Sequence, residues 1–110
     1  MIDHATIETM LQALPDVVLD YPFGEGVAVY KIGSAAGKMF ALIQEDARPL
    51  RLSLKCDPQL AELLREKYES VVPGYHLNKK HWNTIICSGQ VPEDELRDLV
   101  RHSYELVRAG

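Results

Sequence analysis

Two periodicities alternate along the chain, and the points where one gives way to the other mark its elements. In DHATIETMLQALP, Ile7, Met10, Leu11 and Leu14 recur at i, i+3, i+4 and i+7, the spacing of one apolar helix face. Asp3 suits the start of that helix and Pro15 its stop. Strand-like runs follow. DVVLDYP is closed by Pro22, GVAVYKIG carries Val27, Val29 and Ile32, and KMFALIQ pairs with it through the SAAG turn as a hairpin. After the EDARP turn comes the cleanest alternation, PLRLSLKC, with Leu50, Leu52, Leu54 and Cys56 interleaved by Arg51, Ser53 and Lys55. Strand side chains alternate between faces, so this run predicts one apolar face and one that presents Arg51 and Lys55 to water.

The period then returns to helical. In DPQLAELLREKY, Asp57 falls at the N-cap and Pro58 at the first turn, with Leu60, Ala61, Leu64 and Tyr68 on the buried side. VVPGYHLNKK reads as a loop around a Pro73–Gly74 turn, and WNTIICSG as a strand. The closing segment, VPEDELRDLVRHSYELVRAG, places Leu96, Leu99, Val100, Tyr104 and Val107 at helical spacing. Glu93, Asp94 and Glu95 complement the positive end of that helix, and Arg108 suits the negative end. Strands grouped in sequence predict an antiparallel meander rather than βαβ units. The expected fold class is α+β in two layers, an antiparallel β-sheet with helices packed on one face. One domain is expected over residues 1–110, since a chain of 110 residues serves a single core.

Composition adds little to the fold and more to the function. An apolar fraction of 46% and a charged fraction of 25% are ordinary for a soluble globular domain. No apolar run approaches the ~20 residues of a membrane span. MIDHATIETM is acidic where a signal peptide is basic, so a cytoplasmic protein of bacterial style is expected. Cys56 and Cys87 both fall in strand-like segments and read as small buried hydrophobes.

The net charge of −4 is unevenly spread. Residues 1–47 hold seven acids and two bases, residues 48–82 seven bases and four acids, and residues 83–110 five acids and three bases. The acidic total argues against avid nonspecific nucleic-acid binding, whereas the middle third leaves room for a local basic patch. The densest chemistry sits in GYHLNKKHWNTI, which holds His76, Asn78, Lys79, Lys80, His81 and Trp82 without an acid. Two readings compete. Cations, an amide and an indole can bind phosphates and stack on a base. Alternatively, the lysines belong to a solvated turn and Trp82 packs at the edge of the core, which the usual burial of tryptophan favours. If Lys79, Lys80 and His81 flank the face that carries Arg51 and Lys55, the result is one basic strip. No CxxC, HxxxH or HExxH pattern supports a metal site. The absence of GxSxG, GxGxxG and GxxxxGK[ST] leaves hydrolase, dinucleotide and P-loop chemistry without support.

The stretches DYPFGEGVAVYKI (20–32), KMFAL (38–42), PLRLSLKCDPQLAELLRE (49–66), VPGYHLNKKHWNTI (72–85) and HSYELV (102–107) together resemble the MmcQ/YjbR family of small bacterial proteins. PGYHLNKKHWNT is the specific piece. By position the family's hallmark falls on Tyr75, His76, Asn78, Lys79, Lys80, His81, Trp82 and Asn83. The resemblance implies a CyaY-like, frataxin-like fold and DNA binding. It brings no catalytic residue, and the iron function of frataxins does not follow, because the first helix carries only Asp3 and Glu8 as acids. The sequence reading is therefore a non-enzymatic DNA-binding protein without cofactor, using Arg51, Lys55, His76, Asn78, Lys79, Lys80, His81 and Trp82. An adaptor for an acidic protein partner is the alternative. A small-molecule or anion-binding protein, its pocket closed by the HLNKKHW loop, is the third reading.

Overall fold

Two of the three helices begin at a capping aspartate. In the computed structural model, which describes residues 2–110, the Asp3 carboxylate accepts from Thr6 N at 2.9 Å and opens α1 (His4–Gln12). Asp57 accepts from Gln59 N and Leu60 N, both at 3.1 Å, and Pro58 is the first residue of α2 (Pro58–Lys67). Three acids fill the first turn of α3 (Glu93–Ala109), where the helix dipole favours them. The strands are β1 (Val17–Asp20), β2 (Val27–Ile32), β3 (Met39–Gln44), β4 (Arg51–Lys55), β5 (Val71–Pro73) and β6 (Trp82–Ile86). They form one sheet in the order β1-β2-β3-β4-β6-β5, antiparallel throughout. The architecture is the two-layer α+β class expected from the sequence. The meander and the three helices lie where the periodicities predict. The short β5 is an addition, formed inside the segment read as loop.

One face of the sheet carries the core. Tyr30, Phe40, Ile43, Leu52 and Leu54 meet Ile7 and Leu11 of α1, Ala61 and Leu64 of α2, and Leu96, Val100, Tyr104 and Val107 of α3 in a single buried cluster. The rings of Phe40 and Tyr104 meet edge to face, centroids 5.3 Å apart. At Phe40 the β2–β3 register shifts by a bulge, and the strand turns toward α3. There Ser103, fully buried, sits between two strands. Its hydroxyl donates to Phe40 O at 2.6 Å and accepts from Lys55 N at 2.9 Å. The last registered pair of β3 and β4 is Ala41 with Leu54, so the hydroxyl continues the ladder one step beyond the point where the strands part. Nearby, Tyr104 Oη donates to Pro15 O at 2.6 Å and ties α3 to the end of the α1 turn.

The opposite face departs from expectation. Val29, Leu42, Ser53 and Thr84 are registered neighbours across four strands and point away from the helices. This face, which carries Arg51 and Lys55, is predicted to be wet, yet Ser53 between them is 3% exposed and Thr84 is fully buried. The cover is the segment between β5 and β6, which folds back over the sheet. Within β4, Arg51 and Lys55 at its two ends remain half-exposed. Alternation in the sequence reports which residues share a face; it carries no information on a loop that later covers it.

Cys56 and Cys87 are free and buried, as their strand positions suggest. Burial pushes both thiols up to about 11. Burial, with Glu8 beside its hydroxyl, also raises Tyr30. An acid with a raised folded-state pKa holds its proton longer in the folded chain, so its contribution is complete below the unfolded value and is lost as pH climbs. For the thiols that window runs from an ordinary value near 9.0 to about 11. The urea midpoint is expected to hold to pH 8.5 and to fall by pH 10.5, each thiol giving up to roughly 1.4 kcal/mol per unit. Cys87→Ala flattens the fall, and an unchanged wild-type midpoint at pH 10.5 contradicts the assignment. Ser103→Ala leaves Lys55 N unpaired and should cost about 1–3 kcal/mol in urea denaturation.

Candidate functional site

The segment from Pro73 to His81 is held in place before any ligand arrives. Gly74 N donates to Trp82 O at 2.9 Å. A Cβ on Gly74 would lie 2.7 Å from the Trp82 Cβ, so only glycine lets the chain cross β6 this closely. Tyr75 N then donates to the Thr84 hydroxyl at 3.1 Å, and that hydroxyl lies 2.8 Å from Ser53 Oγ. This buried pair is the sheet's attachment point for the loop. His76 follows with φ +58°, the left-handed conformation that histidine tolerates better than most residues.

Asn78 organises the second half. Its side-chain oxygen accepts from Lys80 N at 2.9 Å and His81 N at 3.3 Å. Its backbone carbonyl accepts from His81 N at 3.2 Å and Trp82 N at 2.9 Å. The result is one capped helical turn that leads into β6. Arg65, projecting from α2, clamps this turn. Its Nε donates to Asn83 Oδ1 at 2.7 Å, and a terminal nitrogen donates to Lys79 O and, at 3.3 Å, to Trp82 O. Asn83 is 2% exposed and donates from Nδ2 to Ala61 O at 3.2 Å, so the amide closes the link back to α2. Among the described residues the guanidinium has no carboxylate within ion-pair distance. Three oxygens of the loop and β6 hold it instead.

The eight residues chosen from the sequence separate into groups. Lys55 and Trp82 are registered partners across β4 and β6, and Cys56 N donates to His81 O at 2.8 Å. Lys55, Lys79, Lys80 and His81 therefore gather at one end of the sheet. Lys79 Nζ reaches back to Gly74 O at 3.4 Å, while Lys80 is exposed. Arg51 stands at the other end of β4, about 13 Å away at ~3.3 Å per residue. It is on the same face as Lys55, but the Tyr75–Leu77 segment and buried Ser53 lie between them. The cations form two groups on one face, not a continuous strip. Two site assignments change. Trp82 is 8% exposed beneath the loop and offers no ring to a ligand. The Asn78 oxygen is consumed by the turn. His76 stays accessible, its ring 4.1 Å from that of Tyr75.

Over β2 and β3, beside the loop, the covered face opens into a cleft of about 290 Å³. Val27, Met39 and Leu42 of the sheet form its floor. Phe23, from the β1–β2 turn, and Tyr75 with its two successors form the sides, and Gln44 supplies an amide. Phe23 is 67% and Tyr75 51% exposed. Gln44 and Tyr75 also border a second, polar hollow of about 420 Å³ that contains Asp46, Arg48 and Arg51. Sequence reasoning missed Phe23, Gln44, Arg48 and Arg65. The signal for Phe23 was present: an aromatic among Pro22, Gly24 and Gly26 follows no strand or helix period that would bury it. A larger hollow of about 450 Å³ beside His4 and Glu45 is less suited to a ligand. Glu45 is already bonded to His4 at 2.6 Å and Tyr21 at 3.2 Å, and Arg48 to the carbonyls of Glu45 and Ala47.

Arg65→Met is expected to loosen the loop and cost about 1–3 kcal/mol through the oxygens left unpaired. The chain has one tryptophan, so the loosening is read directly: Trp82 emission shifts to the red and acrylamide quenching rises while the far-UV spectrum holds. Unchanged quenching would show that the clamp is dispensable.

The family model described as YjbR matches residues 12–106. An uncharacterized protein of Escherichia coli O157:H7, YbdF, is 41% identical over 107 residues, covering 97% of this chain and 85% of its own. The uncharacterized YjbR of Escherichia coli K12 is 42% identical over 67 residues, 61% of this chain and 57% of that one. Among solved structures, a Deinococcus radiodurans protein described by the DUF419 family model superposes with a TM-score of 0.88 at 43% identity, covering 92% of this chain and 75% of that one. A Pseudomonas syringae protein superposes with a TM-score of 0.83 at 28% identity, covering 97% and 100%. With the family model spanning most of its length and this fold shared at this identity, the chain belongs to the YjbR family.

Proposed function

We propose that the protein is a DNA-binding module that uses the sheet face opposite its helices. The observation that carries this reading is the pairing of charges. Among the described residues, Arg51, Lys55, Lys79 and Lys80 are without a carboxylate within ion-pair distance, although acids outnumber bases in the chain. Cations kept free of acids on one face are available to phosphates. The acids concentrate elsewhere. Glu62 and Glu66 lie on α2, and Glu93, Asp94, Glu95, Asp98 and Glu105 lie on α3, in the layer behind the sheet. Seven of the sixteen acids thereby lie in the helix layer, although Asp46 borders Arg51, and the local potential, rather than the net charge, meets the polyanion. The ~13 Å between Arg51 and Lys55 matches about four nucleotide rises of ~3.4 Å, so both cation groups reach one strand.

Binding of this kind is steeply salt-dependent, each neutralised phosphate adding about 0.9 to the slope of log K against log salt. In filter binding at low ionic strength, Lys79→Ala combined with Lys80→Ala is expected to flatten the slope by about two. No retention of either single- or double-stranded DNA by the wild-type protein defeats the proposal.

A further inference from the structure

We propose that the apolar cleft between Phe23 and Tyr75 receives one unpaired nucleobase of a single strand, whose phosphate rests on Arg51. This deepens the DNA-binding reading and rests on it. The described residues include four large hydrophobic side chains exposed to solvent, and two of them, Phe23 and Tyr75, face the same cleft. Neither contributes to the core cluster. An exposed aromatic pair above an apolar floor gains from a planar guest, because a base has two π-faces to stack whatever its identity. The volume of about 290 Å³ lies at the lower bound of small-ligand sites, enough for one ring system.

The polar groups around the cleft narrow the guest further. Gln44 offers a donor and an acceptor side by side, the pattern that an unpaired base edge requires. Its registered neighbour on β4 is Arg51, which lines the polar hollow next door. A ring in the first site therefore places its anionic substituent at the second. Of the groups in that hollow, Arg48 is occupied by the carbonyls of its own turn and Asp46 repels an anion, which leaves Arg51 as the phosphate contact. A planar ring joined to a phosphate is the chemistry of a nucleotide. In a duplex the bases are stacked and paired, so entry demands a single strand or an unpaired position.

Fluorescence anisotropy with a labelled oligonucleotide, its duplex, and a version with abasic positions tests this. Wild-type protein is expected to prefer the single strand to the duplex and to lose that preference on the abasic strand. Phe23→Ala and Tyr75→Ala should each weaken single-strand binding on the order of ten-fold, with little effect on the duplex. Phe23→Tyr should restore it. Both side chains are exposed, so Trp82 emission will confirm that the variants are folded. If single strand and duplex bind equally and the alanine variants behave as wild type, the base site is wrong while DNA binding stands. If wild-type protein binds none of the three, both readings fall together.

Discussion

One guanidinium decides the shape of the functional face. Arg65 reaches from α2 to Asn83, Lys79 O and Trp82 O, and by doing so fixes where the chain re-enters the sheet at β6. A charge in a partly buried place normally calls for a carboxylate; here carbonyl and amide oxygens converge on it, and a planar fork of donors is the side chain that can satisfy several at fixed angles. Lysine would supply the charge without the geometry. With the exit of the loop fixed by Arg65 and its entry fixed by the close crossing of Gly74 over Trp82, the intervening residues must lie across the sheet. Burial of Trp82, Ser53 and Thr84, the accessibility of Tyr75 and His76, and the cleft beside them all follow from those two constraints.

The same arrangement reconciles an acidic chain with a cationic surface. The helix layer holds most of the C-terminal carboxylates, and several are paired locally, Glu93 with Arg97 and Glu105 with Arg108. Such exposed pairs contribute little to stability. Their effect is on the field: Arg97 and Arg108 are spent on helical acids, whereas, among the described residues, Arg51, Lys55, Lys79 and Lys80 are left over. Sorting by layer matters more here than the formal total.

Much of the architecture was legible because it depends on neighbours in sequence. Asp3, Asp57 and Pro58 announce helix starts through contacts within a few residues, and the alternation of Leu50 to Cys56 assigns faces without reference to the rest of the chain. What was illegible depends on distant partners. β5 spans Val71–Pro73, too short to show a period, and its proline argues for a turn; it exists because β6 offers it an edge, where proline is tolerated. The burial of Ser53 was illegible for a related reason, since its cover arrives from more than twenty residues away. Arg65 sits on a helix flank like any surface arginine, and nothing local distinguishes it. The hallmark stretch was visible as chemistry, but its division of labour was not. Asn78 and Trp82 build the loop, Lys80 and His81 are offered to solvent, and the aromatic that faces the cleft across from Tyr75 lies in another turn altogether.

The hydroxyl of Ser103 gives the molecule a direction in time. It bridges Phe40 and Lys55, partners 63 and 48 residues upstream, and the adjacent Tyr104 reaches 89 residues back to Pro15. On a ribosome, the strands emerge well before the residues that seal them. Contacts of such long sequence separation form late and slow the search for the native state. The second half of α3 acts as a latch, and the central strands are secured only once its residues have been made.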